Sequence, residues 1–96
     1  MIKQAEKLCK EWHEAGREDF EKSHPSLNYD TYAPKKAIEK RKYINLDEGN
    51  SGAFLVDKTD GCIYRIKSKY GVPNRKKPVG YIDQVTGEML NRWRWH

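Results

Sequence analysis

The sequence predicts a small α+β domain in which two N-terminal helices precede an antiparallel sheet of four or five strands. From residue 2 to residue 20, apolar residues recur at spacings of three and four, the pattern of one helix face. Beyond residue 43 the apolar stretches are short or alternating, and segments with Asp and Gly separate them, as in strands joined by tight turns. We therefore expect one domain with a helical part over 2–42 and a sheet part over 43–96.

The first predicted helix covers residues 2–20 and ends before Pro25, because the residue before a proline disfavours helical geometry. Its apolar stripe consists of Ile2, Ala5, Leu8, Cys9, Trp12, Ala15 and Gly16. A second, shorter helix is expected over residues 34–42, since a proline suits the first turn of a helix. Ala37 and Ile38 would be its inward contacts.

Two similar segments, residues 56–61 and 82–87, are predicted to be hairpin loops. In each, a strand ends at an Asp, and a Gly supplies the positive φ that the return strand needs. The first loop would lead into a strand over 62–67, and the second into a strand over 89–95. The alternative is that the two segments share only common turn chemistry.

Composition excludes several classes of protein. With 96 residues, of which 36% are hydrophobic and 34% charged, the chain is too small for a large cofactor-binding fold. The longest uncharged apolar run has four residues, far below the roughly 20 that a membrane span needs. We expect no membrane partner, and a cytoplasmic location because the N-terminus lacks the apolar segment of a secretion signal. Two cysteines, Cys9 and Cys62, are expected as buried thiols.

The excess positive charge lies in the predicted sheet. Through Glu48 the chain has 10 basic and 10 acidic residues, whereas the remainder has 9 basic and 4 acidic. Residues 61–82 contain six basic residues and no acidic one, with Tyr64, Tyr70 and Tyr81 interleaved. Basic side chains can follow a phosphate backbone while aromatic rings stack on bases. The pattern therefore favours contact with nucleic acid or nucleoprotein.

The candidate binding residues follow from this charge distribution. They are Arg65, Lys67, Lys69, Tyr70, Arg75, Lys76, Lys77, Arg92 and Arg94. On a strand, Arg65 and Lys67 would share one face, opposite to Tyr64. Residues 69–77 are expected to form a loop closed by prolines. The alternative is a solvated sheet face whose edge is protected by lysines.

The C-terminal segment alternates Trp93 and Trp95 with Arg92 and Arg94. On a strand, both rings would lie on one face and both guanidinium groups on the other. We expect the rings to cover Trp12 of the first helix. A binding surface is the alternative, because Trp and Arg often dominate interface energies.

Residues with catalytic or metal-binding chemistry are sparse. Cys9 and His13 stand four apart on the first helix, where two side chains can reach one metal, and His24 can supply a third ligand. A structural zinc site needs four ligands, and nothing near Cys9 indicates an oxyanion hole. The glycine-containing segment 49–52 lacks the lysine of a phosphate-binding loop. We therefore predict no enzymatic activity and no cofactor.

Two nucleic-acid motifs have partial counterparts. Residues 52–56 resemble the central strand of an RNA-recognition motif, without its preceding basic residue and first stacking aromatic. Residues 61–64 with 79–80 resemble the paired signature of GIY-YIG nucleases. However, Pro78 stands in place of the second tyrosine, and only 16 residues remain for the catalytic helix and the metal-binding glutamate. A small nuclease of this type stays an alternative.

Four segments, residues 42–47, 51–58, 61–67 and 70–73, carry a longer pattern. It consists of Tyr-Ile-x-Leu-Asp, then Ser-Gly-x-Phe-x-Val-Asp-Lys, then Gly-x-Ile-Tyr-x-Ile-Lys, and then Tyr-Gly. This pattern resembles a recurring family of short phage-encoded proteins. The departure is Asp60, where Thr is more usual before the Gly.

The resemblance implies a biological setting and no catalytic residue. Small phage proteins of this kind are often antagonists of host defence, such as anti-CRISPR proteins, or regulators of host nucleic-acid machinery, and both act by binding. We therefore expect a non-catalytic accessory protein in the host cytoplasm whose basic sheet and loop engage a host nucleoprotein or defence complex. A plain nucleic-acid-binding protein is the alternative, and a homodimer stays open.

Overall fold

A computed structural model of the chain describes residues 1–49, 51–66 and 72–94. It has an α+β fold with a five-stranded antiparallel sheet, in which sequential strands are neighbours. The elements are α1 (Ile2–Ser23), α2 (Tyr29–Tyr32), β1 (Lys35–Glu39), β2 (Tyr43–Glu48), β3 (Ser51–Asp57), β4 (Cys62–Ile66), β5 (Pro73–Tyr81) and α3 (Gly87–Arg94).

Helix α1 confirms the apolar periodicity. Its buried residues are Ala5, Leu8, Cys9, Trp12 and Gly16. Trp12 is fully buried and meets Phe54 of β3 edge to face, with ring centres 5.3 Å apart. The helix extends to Ser23, where the backbone N–H of His24 donates to the Phe20 carbonyl. None of the described helices is long and apolar enough to cross a membrane.

The second predicted helix is wrong, because residues 35–39 form strand β1. This strand pairs with β2, with Ala37 opposite Leu46. The only helical turn between α1 and β1 in the described chain is the four-residue α2, and the Asn28 side chain caps it by accepting from the Thr31 N–H. Pairing with β2 satisfies the backbone of this short segment, which a helix of similar length could do only marginally.

The first predicted hairpin is observed as β3 and β4. Gly61 has φ +76°, and the Asp57 side chain accepts a hydrogen bond from the Thr59 N–H at 2.8 Å. The second predicted hairpin is wrong, because a turn after β5 leads into α3. Gly87 starts that helix and is not among the described glycines with positive φ.

The predicted C-terminal strand over 89–95 is therefore helical as far as Arg94. The Thr86 hydroxyl accepts from the Met89 N–H at the start of α3, and Leu90 is fully buried in the core. Trp93 is 38% exposed, and the Arg65 guanidinium lies 5.9 Å from its ring centre. The expected packing of this ring on Trp12 stays a prediction. Trp95 lies outside the described residues.

The two faces of the sheet have different surroundings. Alternate residues on one face, including Ile44, Leu46, Phe54, Val56 and Ile63, form the core with α1 and α3. By register, the other side carries Tyr43, Asn45, Leu55, Asp57 and Tyr64. We call this side the open face, because neither α1 nor α3 packs on it.

Replacing Gly87 by Ala should destabilise the fold strongly. A Cβ at this position would lie 2.1 Å from the Glu11 carbonyl carbon and 2.2 Å from the Trp12 nitrogen, both backbone atoms of α1. Relieving this overlap must move α3 away from α1, with an expected loss of at least about 2 kcal/mol of unfolding free energy in urea titrations.

The matched control is Gly52→Ala, where the added Cβ would overlap only the end of the Ile66 side chain, at 2.7 Å, which can rotate away, and would meet Asp47 Oδ1 at an ordinary contact distance of 3.7 Å. Equal stability of the two variants would contradict close packing of α1 against α3.

Candidate functional site

The Arg75 side chain reaches from β5 across the open face. Its Nη1 lies 2.8 Å from Asp57 Oδ2 on β3, and its Nη2 lies 3.3 Å from the Tyr43 hydroxyl on β2. The guanidinium carbon also lies 4.7 Å from the centre of the Tyr64 ring on β4, a cation–π distance. One cation therefore contacts side chains of three other strands.

Asp57 is the anion on which this arrangement is centred. Its side chain is only 11% exposed and ends strand β3. The hydrogen bond from the Thr59 N–H and the pairing with Arg75 hold the pKa of this carboxyl below its ordinary value. Asp57 is therefore ionised at neutral pH, and Arg75 offsets its charge.

A cavity of about 430 Å³ lies beside this ion pair, where the β1–β2 and β3–β4 turns meet. We call it the basic cleft. It is lined by Arg41, Lys42, Tyr43, Asp57, Lys58, Thr59 and Arg75. The two turns are held together because the Lys58 N–H donates to the Lys42 carbonyl and the Lys58 ammonium donates to the Lys40 carbonyl.

The basic cleft carries excess positive charge. Among its described lining residues, four are cationic and only Asp57 is anionic, and Arg75 already pairs with that carboxylate. Lys58 also pairs with Glu39 at 2.9 Å. Arg41 and Lys42 are exposed, and neither forms an ion pair with any described carboxylate. The cleft therefore suits an anionic group.

Tyrosines accompany this charge on three strands of the open face. Tyr43 lines the cleft, and the ring of Tyr64 lies under the Arg75 guanidinium. Tyr81 is opposite Cys62, two residues before Tyr64, so it belongs to the same side of the sheet, and it is 48% exposed. The surface therefore combines aromatic rings with cations.

Three of the candidate residues lie on edge strand β5. Arg75, Lys76 and Lys77 are all exposed. The predicted loop is wrong for this segment, because Pro73 pairs with Ile66 and Pro78 with Tyr64. The residues between these prolines bulge opposite β4, and such a bulge allows a side chain to be re-aimed across the sheet.

The other described candidates lie on the helix side of the sheet. Arg65 is opposite Phe54, a core residue, and its guanidinium lies over Trp93. Arg94 on α3 lies 3.5 Å from Glu48, and Arg92 is exposed on the same helix. The structure therefore separates these three from the open face. Lys67, Lys69 and Tyr70 lie outside the described residues.

Sequence reasoning missed six of the seven described lining residues of the basic cleft, and four of these six are cationic or aromatic. These four are Arg41, Lys42, Tyr43 and Lys58. The run of basic residues at 40–42 could have indicated part of this site. However, the sequence analysis placed the run in a predicted helix, and a helix there gave no reason to expect it next to the β3–β4 turn. Only the strand register, with Tyr43 opposite Asp57, brings these residues together.

The Cys9 and His13 pair has no activated nucleophile. Burial raises the pKa of Cys9 to about 12, so the thiol is protonated at neutral pH. The Nε2 of His13 lies 2.7 Å from Asp30 Oδ1, which places this ring in an ion network with Arg17. Among the described residues, no group of three or more His, Cys, Asp or Glu side chains is arranged to hold a metal ion.

No protein-family model, curated protein or solved structure matches this chain. The relationship to phage-encoded proteins that the sequence pattern implies therefore stays a prediction.

The stability of the folded chain should decrease above pH 9 because of Cys9. An unfolded thiol ionises near pH 9, whereas the buried thiol retains its proton to about pH 12. In this range the folded state binds more protons, so rising pH favours unfolding, by about 1.4 kcal/mol per pH unit for one group. Urea titrations at pH 8, 9 and 10 should show a steeper decrease for the wild type than for Cys9→Ala. Parallel pH dependence would contradict burial of this thiol.

Arg75→Gln should lower the melting temperature more than Lys76→Gln, although both remove one positive charge from β5. Only the first variant leaves the Asp57 carboxylate without its guanidinium. The difference should be present above the ordinary pKa of an aspartate, about 3.9, and shrink as the pH falls and Asp57 takes up a proton. Thermal melts at pH 7 and pH 3 measure it, and equal melting temperatures at pH 7 would contradict a structural ion pair.

Proposed function

We propose that the chain is a non-catalytic protein that binds single-stranded nucleic acid, with phosphates in the basic cleft and bases on the open face. The observation that carries this proposal is the position of Arg75. Because Arg75 offsets the only carboxylate among the described lining residues of the cleft, and Lys58 is paired with Glu39, the charges of Arg41 and Lys42 next to Tyr43 are available to an anion.

The residue types of the cleft favour phosphate. Arginine presents a planar set of donors that matches phosphate oxygens, and lysine adds a compact charge. Both are supplied by the β1–β2 turn, in Arg41 and Lys42, at the solvent side of the cleft. A backbone phosphate can therefore reach them without disrupting the sheet.

The tyrosines favour a single strand over a duplex. Stacking on a side chain requires a base face that is not already covered by its neighbours. Tyr43 and Tyr81 lie on different strands of the open face, so successive bases can meet successive rings along the sheet. Both strands contribute to the same surface as the basic cleft.

The resemblance to phage-encoded proteins extends this proposal to a biological setting. In that setting, the bound single-stranded nucleic acid is part of a host nucleoprotein or defence complex. Recovery of the tagged full chain from host lysate, with and without nuclease treatment, tests this setting. Association that is lost after nuclease treatment supports contact through nucleic acid. Association that resists the treatment indicates a protein contact instead.

The variant Arg41→Gln/Lys42→Gln should flatten the salt dependence of binding to a labelled oligonucleotide. Each phosphate contact to a single strand contributes about 0.7 to the slope of log affinity against log salt, so losing two should reduce the slope by about 1.4. Fluorescence anisotropy between 50 and 300 mM salt measures it.

The matched control is Lys10→Gln/Arg92→Gln, which removes the same charge from exposed positions on α1 and α3. An equal change of slope in both variants would show that only net charge matters and would refute a specific cleft.

Replacing Tyr81 by Leu should weaken oligonucleotide binding without changing the salt slope. Loss of one stacked base costs about 1–3 kcal/mol, and no phosphate contact is removed. Tyr32→Leu is the control, because this tyrosine is 62% exposed but lies on α2 and does not line the basic cleft. Unchanged affinity in the Tyr81 variant would remove the open face from the proposed site.

A further inference from the structure

A second cavity, of about 400 Å³, lies between α1, α2 and α3, at the other end of α1 from the basic cleft. Its lining includes Phe20, His24, Tyr29 and Tyr32. The Phe20 ring is central to this group, with ring centres 4.8 Å from His24, 4.9 Å from Tyr29 and 5.4 Å from Tyr32. We call it the aromatic cavity.

The floor of the aromatic cavity depends on Gly16. A Cβ there would lie 2.7 Å from the Tyr29 hydroxyl and 3.0 Å from Asn91 Oδ1, so the missing side chain lets α1 approach both groups. Two carboxylates also line the cavity, but Glu48 is already paired with Lys35 and Arg94, which leaves Asp19 as the accessible anion among the described lining residues. The site therefore combines rings with one anionic group, the two features that recognise a cation.

The segment that surrounds the aromatic cavity, residues 11–33, also carries net negative charge. Residues 11–33 contain six acidic and two basic residues. Both bases are already paired, Arg17 with Glu14 and Asp30, and Lys22 with Glu18. Among the described residues, Asp19 forms no ion pair. This end of the chain is complementary to a positively charged partner.

The rim of the aromatic cavity fits a polypeptide. Tyr32 is 62% exposed, and Leu27, which follows His24 in the loop between α1 and α2, is 41% exposed. Exposed apolar side chains beside a cavity provide contact area for the chain that carries an inserted side chain.

We propose that the aromatic cavity receives a lysine or arginine side chain of a basic segment in a partner protein. This proposal is independent of the nucleic-acid site.

The test is an NMR titration of the full chain with an acetylated peptide of four Gly-Arg repeats and with the same peptide carrying citrulline, the neutral isostere of arginine. We expect shifts at Phe20, His24 and Tyr32 with the arginine peptide and at least tenfold weaker binding of the citrulline peptide. Free choline, the second probe, should bind more weakly than the arginine peptide.

Variants locate the contact. Asp19→Asn removes charge without changing shape, and Tyr32→Leu removes a ring, so each should weaken arginine-peptide binding by about two- to fivefold. Glu6→Gln, an exposed position near the start of α1, should leave it unchanged. Their melting temperatures verify that all three fold.

Four results would overturn the proposal. They are absence of peptide binding, equal binding of the citrulline peptide, unchanged binding by Tyr32→Leu, and tighter binding of choline than of peptide. The last result would assign the cavity to a free quaternary ammonium compound.

Discussion

The buried ammonium of Lys35 is the constraint on which the junction of helices and sheet depends. Its side chain is 1% exposed, and its three donors reach the Tyr29 hydroxyl at 2.8 Å, the Ala33 carbonyl at 3.0 Å and the Glu48 carboxylate at 3.3 Å. Burial lowers the pKa of Lys35. A buried charge is tolerated only when it is paired and hydrogen-bonded, so α2, β1 and β2 must keep their relative positions.

The sequence was sufficient for the elements that local patterns determine. The stripe of α1 and the Asp and Gly positions of the β3–β4 hairpin are local signals, and both predictions are confirmed. Strand β1 and helix α3 depend on distant partners. Short apolar segments fit either a strand or a helix. At the C-terminus, the alternation of Trp and Arg fits a strand, whereas the spacing of three between Leu90 and Trp93 fits a helix equally well. The burial of Leu90 in the core decides for the helix.

The candidate site illustrates the same limit. The basic character of β5 was visible in Arg75, Lys76 and Lys77, but the role of Arg75 was not. Its partners Asp57 and Tyr43 precede it by 18 and 32 residues, and only the sheet register and the bulge of β5 bring them together. The structure thus makes Arg75 part of the support of the cleft, and leaves Arg41 and Lys42 as its accessible cations.

The two proposed sites are far enough apart to act independently. Met1 approaches Gly61 near the basic cleft, whereas the aromatic cavity begins at Gly16, so more than four turns of α1, roughly 20 Å, separate them. The screening length at physiological ionic strength is about 8 Å, so neither end greatly perturbs the potential of the other. A nucleoprotein presents both phosphates and basic side chains. The two proposals taken together therefore imply contact with both components of such a complex, in which each contact would raise the effective concentration of the other.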